Sequence, residues 1–130
     1  MKILLDTQCW LWMQASPKRF SRQALDLLQN PSNDLLLSAA SCWEIAIKYV
    51  LGRLPLPSPP AEYVPTRMEI SGVLALPVRH GHALHVATLP VHHRDPFDRL
   101  LIAQAQLEKL PLLTADRQFA SYEVELHWAN

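Results

Sequence analysis

Four carboxylates stand out by position. Asp6 closes an apolar run beside Thr7, Glu44 lies one helical turn before Lys48, Asp98 follows Asp95-Pro96 at the head of an apolar segment, and Asp116 follows LLTA. Three of them have an ordinary structural explanation when taken singly. Asp95-Pro96 reads as an N-cap and first helical position, with Asp98 facing the positive end of the helix dipole. Ser41-Cys42-Trp43-Glu44 matches a capping box, Glu44 and Lys48 form an i, i+4 pair, and Asp116 reads as the cap of a last helical turn. Asp6 resists such a reading, because a carboxylate ending a buried strand has little reason to sit at the sheet's rim unless something there favours negative charge. Asp98, for its part, shares a helical face with Ile102 and Ala105, at the edge of the buried stripe.

Taken together, the four acids predict a pocket that needs a cation. Two carboxylates at ~4 Å repel by about 4 kcal/mol at an effective dielectric of ~20. Oxygen donors suit the hard ions Mg²⁺ or Mn²⁺, and such an ion predicts phosphodiester hydrolysis by a metal-activated water. Lys48, Arg94, Arg99 and Arg117 border the acids and are expected contacts to substrate phosphates, with intrachain pairing as their structural alternative.

The elements that would bring these residues together follow from apolar patterning. Short apolar runs at 2–6, 35–38, 73–78 and 112–114 read as strands, with 122–128 as a possible fifth. Helices are expected at TQCWLWMQ, over 18–29, from Ser41 to Leu51 ended by Gly52, over 61–71 despite Pro65, at HGHALHVATL, and from Pro96 through Lys109. The four prolines between Pro55 and Pro60 mark an ordered loop. Strands that are continuously apolar and alternate with helices predict a mostly parallel sheet covered on both faces. In such a sheet every carboxyl end lies on one rim, so Asp6, Glu44 and Asp116 converge there. Asp98 follows no strand, and its convergence depends on how its helix packs.

Bulk properties frame this reading without deciding it. With 130 residues, 49% of them hydrophobic, the chain suits a single domain over 1–130 with its own core. Twelve basic and twelve acidic residues cancel, so a polyanion site must arise from local clustering. Cys9 and Cys42 lie in apolar segments and read as reduced core thiols. The CWLWM run with Trp10 and Trp12 reads as core or half-buried. Only the short run ILL separates Lys2 from Asp6, so neither a signal-peptide core nor a membrane span is expected, and the location expected is cytoplasmic.

LLDT, SAASCWEIAIKYVLGRL, HHRDPFDRLLIAQA and LLTADRQF with the following Tyr122 together resemble PIN-domain proteins, and among them the VapC-type toxins of toxin–antitoxin pairs, over residues 3–122. The resemblance implies an α/β fold, a PIN-like three-layer α/β/α sandwich with a five-stranded parallel sheet. It implies an endoribonuclease dependent on Mg²⁺ or Mn²⁺, with Asp6 and Asp98 holding the ion most directly, Glu44 in ligation or water activation, and Asp116 acting through water. Thr7 and Thr114 resemble hydroxyls that hold neighbouring carboxylates, and Asp95 a helix cap. A homodimer and a cognate antitoxin, whose tail places a basic side chain near the acids, are the partners it implies.

Rival readings use other features. His80, His82, His85, His92 and His93, with Asp95 nearby, would suit zinc or iron, although no HExxH pattern is present; His93 is otherwise expected near the helix start, beside substrate or the aspartates. A PIN-fold nuclease of RNA processing or of DNA, and a non-catalytic binding module, are the others. An aspartyl-nucleophile phosphatase is disfavoured because DTQ lacks a second aspartate two residues after Asp6.

Overall fold

Each apolar strand divides its side chains between two cores. In the computed structural model, which describes residues 1–130, Ile3 and Leu5 of β1 (Lys2–Leu5) point to one side and Leu4 to the other. In β2 (Asp34–Ser38), Leu35 and Leu37 join the first core and Leu36 the second; in β4 (Leu112–Thr114), Leu113 and Leu112 divide the same way. This period of two, without a polar face, is what a sheet buried on both sides demands.

The strands form one parallel sheet in the order β3-β2-β1-β4-β5, with β3 at Leu74–Leu76 and β5 at Leu126–Trp128. One face carries α1 (Thr7–Ala15), α2 (Arg22–Gln29) and α4 (Pro60–Ser71) through Trp10, Ala24 and Val64. The other carries α6 (Pro96–Glu108) through Leu101, Ile102 and Ala105, with α5 (His80–His85) packed on α6. The α/β/α sandwich and parallel sheet are therefore as the sequence predicts. Between the layers α3 (Ala39–Val50) contacts α1, α4 and α6.

Several boundaries differ from expectation. No loop separates β2 from α3: Ser38 ends the strand and caps the helix, accepting the Ala40 N–H. The expected capping box at Ser41 does not form, because Ser41 already lies inside the first turn and its hydroxyl accepts a hydrogen bond from Thr7 at 2.8 Å. Gly52, at φ 72°, follows α3 in the left-handed region that favours glycine. Pro65 lies inside α4 at an exposed position, where the carbonyl it leaves without a donor, that of Ala61, is on the exposed side too. The expected fifth strand is confined to Leu126–Trp128, since Tyr122 turns inward and its hydroxyl accepts from the backbone N–H groups of His92 and His93.

Candidate active site

Strand order reverses between β1 and β4, and an open parallel sheet receives ligands in the crevice beyond the strand ends at such a point. Asp6 directly follows β1, Asp116 lies just beyond β4, Glu44 projects from α3 as it leaves β2, and Asp98 stands in the first turn of α6. All four line one cavity of about 380 Å³, together with Asp95 and the cations Lys48 and Arg53. The packing of α6 against the sheet supplies the convergence of Asp98 that strand order alone does not give.

Backbone and hydroxyl donors hold Asp6, Asp116 and Asp95, while an imidazole and an ammonium meet the other acids. Asp6 Oδ1 accepts the Cys9 N–H at 2.6 Å and Oδ2 accepts the Thr114 hydroxyl. Asp6 is thus the N-cap of α1, a structural role that sequence reasoning denied it, because it is the single residue between the end of β1 at Leu5 and the start of α1 at Thr7. Thr114 Oγ1 in turn accepts the Asp116 N–H at 3.0 Å, tying two acids to one hydroxyl. Asp116 Oδ1 accepts the Gln118 N–H, and Asp95 Oδ1 accepts those of Phe97 and Asp98 as a helix cap. Asp116 Oδ2 and Asp98 Oδ2 lie 2.9 and 3.0 Å from His93 Nε2. Glu44 Oε2 takes the Lys48 ammonium, whereas Glu44 Oε1 is buried without a hydrogen-bond partner.

Crowding perturbs the acids. Burial, followed by the charges of Asp95, Glu44, Asp6 and Asp116, pushes the Asp98 carboxyl up to about 8. Burial also raises Asp6, against the opposing hydrogen bonds from Thr114 and Cys9. Lys48 is raised chiefly by its hydrogen bond to Glu44. Five carboxylates against two cations in the cavity wall, with a buried oxygen of Glu44 left without a donor, fit a hard divalent ion bound by oxygen. Asp6, Asp98, Glu44 and Asp116 are the side chains that would hold it.

Other predicted contacts are placed differently. Thr7 holds no carboxylate, since its hydroxyl donates to Ser41. Arg99 is turned away from the cavity: its guanidinium donates to the carbonyls of Pro90, Val86 and Leu89 and to the Tyr122 hydroxyl, so it organises the loop before α6 and is not free for phosphate. Arg117 stacks on Trp128 at 4.0 Å and donates to the Asn130 carbonyl, and Arg94 is exposed outside the cavity wall. Of the predicted cations only Lys48 lines the site. Arg53 lines it too, and was missed because nothing in LGRLP marks it.

The histidines do not gather into a centre of their own. His82 bonds Glu108 and His85 bonds Gln106, and only His93 reaches the acids. Cys9 is fully buried, and burial raises its thiol well above the usual range; Cys42 is half-buried and raised for the same reason. Trp10 is fully buried and Trp12 packs at the edge of the same core.

Fold and cleft together define a three-layer α/β/α domain with an acidic site at the carboxyl rim of a parallel sheet. The chain belongs to the PIN-domain family, whose model matches residues 3–125. It is 48% identical over 79 residues to Ribonuclease VapC16 of Mycobacterium tuberculosis, an alignment that takes in 55% of this chain and 56% of that protein. The match thus spans about half the length of that relative. Among solved structures it is similar to a chain of VapBC2 from Rickettsia felis bound to a promoter DNA fragment, with TM-score 0.72, 16% identity and 100% of both chains covered. It is also similar to a chain of DNA-bound VapBC from Salmonella typhimurium, with TM-score 0.66, 16% identity, and 100% and 99% covered. At these identities the two structures speak for the fold alone.

Proposed function

We propose that this chain is a metal-dependent endoribonuclease and the toxin of a toxin–antitoxin pair. The observation that carries the reading is the meeting, in one cavity, of four acids from four separate segments with a buried carboxylate oxygen of Glu44 left unpartnered. The relative named as a ribonuclease and the solved toxin–antitoxin complexes of the same fold support it.

Asp6, Asp98, Glu44 and Asp116 would hold Mg²⁺ or Mn²⁺. When bound, the ion supplies Lewis-acid activation of water and neutralises charge developing on the phosphate. The chain's own groups do the rest. Glu44 lines the cavity and takes part in ligation or in orienting the attacking water. Lys48 and Arg53 meet the phosphate oxygens from the cavity wall. Thr114 keeps Asp6 and Asp116 in register through two hydrogen bonds.

A cognate antitoxin and a homodimer belong to the same proposal, as does a cytoplasmic location; no helix is long and apolar enough to cross a membrane. A gene for a small DNA-binding protein immediately upstream is the expected context. The direct test incubates purified protein with single-stranded RNA and Mg²⁺ or Mn²⁺. Cleavage is expected for the wild type, none for Asp98→Asn, and none with EDTA. Full cleavage by Asp98→Asn, or after removal of metal, would overturn the reading.

A further inference from the structure

His93 is held more firmly than a bystander in an acidic cleft requires. Its backbone N–H donates to the Tyr122 hydroxyl at 2.8 Å, and its ring packs edge-on against Phe119 at 5.8 Å. Ring Nδ1 accepts the Asp95 N–H at 3.2 Å. A ring nitrogen that accepts from a backbone amide carries no proton, so in the neutral imidazole the proton must sit on Nε2.

That nitrogen lies 2.9 Å from Asp116 Oδ2, within hydrogen-bond geometry, and 3.0 Å from Asp98 Oδ2. His93, Asp98 and Asp116 offer ligand atoms within 4.8 Å of one another, which invites the view that all three grip an ion. The tautomer argues otherwise. With a proton on Nε2 that nitrogen has no lone pair to give, and freeing one would set Nδ1–H against the Asp95 N–H.

We propose that His93 is a positioning residue, not a metal ligand: its Nε2–H, fixed by the Asp95 amide at Nδ1, draws the Asp98 and Asp116 carboxylates together so that their remaining lone pairs meet one divalent ion. The inference rests on the proposed metal-dependent reading. It assigns the histidine a task parallel to that of Thr114, which links Asp6 and Asp116 from the other side. It also gives Arg99 and Tyr122 a purpose, since both anchor the chain around His93 away from the cavity.

Mn²⁺ affinity followed by electron paramagnetic resonance provides the test, on wild type, His93→Ala and His93→Gln, with folding checked by circular dichroism. Glutamine can place an amide N–H near the position of Nε2. His93→Ala should bind Mn²⁺ about 10–100-fold more weakly, the loss usual when a group orienting a ligand is removed, and His93→Gln should recover most of it. Bound Mn²⁺ in the wild type should show no ¹⁴N coupling from an imidazole. Unchanged affinity in His93→Ala, no recovery in His93→Gln, or an imidazole coupling that His93→Gln abolishes would overturn the positioning role while leaving the metal site standing. Failure of the wild type to bind Mn²⁺ would overturn both.

Discussion

Replacing Asp98 with asparagine should do two opposite things, removing activity while stabilising the ion-free protein at alkaline pH. The folded-state carboxyl titrates at about 8 against an ordinary value of 3.8, because burial and four neighbouring acids disfavour its charge. The sign follows from linkage. Below 3.8 folded and unfolded chains both hold the proton; between the two values the unfolded chain has lost it and the folded chain has not; above about 8 the cost to the folded state is constant. For the wild type this integrates to about 4 kcal/mol of lost stability between pH 5 and pH 9. The side chain is 19% exposed, and water at the cavity mouth screens part of the effect, so about 2–4 kcal/mol is expected. The asparagine amide does not titrate, so the stability of the variant relative to the wild type should rise by that amount over the same range. Urea unfolding in EDTA, followed by tryptophan fluorescence from pH 5 to pH 9, measures it. A difference that stays flat, or that moves against the variant as pH rises, would refute the claim that Asp98 is held in an environment hostile to its charge.

The remaining predictions concern the same cluster and its supports. Because Asp98 is mostly protonated at pH 7, ion binding there should release close to one proton, and fewer at pH 9; calorimetry in buffers of different ionisation enthalpy counts them. Thr114→Val removes the donor to Asp6 and the acceptor for the Asp116 N–H, and should cost about 1–3 kcal/mol in urea unfolding together with weaker Mn²⁺ binding. Tyr122→Phe deprives the His92 and His93 amides and the Arg99 guanidinium of an acceptor; faster amide exchange over 86–95 and a stability loss of about 1–3 kcal/mol are expected. Cys9, with no exposed surface and a raised thiol pKa, should resist iodoacetamide at pH 8 in the folded protein and react only after unfolding, as mass spectrometry would show.

The layered fold was legible because its signals are local. Continuous apolar strands could only be buried on both faces, and the helix beginning at Asp95-Pro96 is specified within four residues by cap, proline and dipole. Other signals misled where two elements share a residue. Ser38 serves β2 and α3 at once, so the capping box displaced to Ser41 was plausible in sequence and absent in space. The same economy at the end of β1 concealed the capping role of Asp6. Charge proved legible in kind and not in direction: Lys48 turns to the cavity because it shares a helical face with Glu44, while Arg99, close to Asp98 in sequence, points to the carbonyls of the preceding loop.

By itself the sequence determined which residues are apolar, which segments are strand or helix, and that acids follow the ends of β1, β2 and β4, since period, capping and parallel direction act over a few residues or one strand. Only the tertiary structure decided that Asp98 joins them, that Thr114 and His93 hold the carboxylates together, and that Arg53 faces the cleft while Arg99 does not. Those outcomes depend on how α6 and the loops at either end of the sheet pack, and packing places side chains by contacts between residues up to 108 positions apart, as between Asp6 and Thr114, which no local pattern encodes.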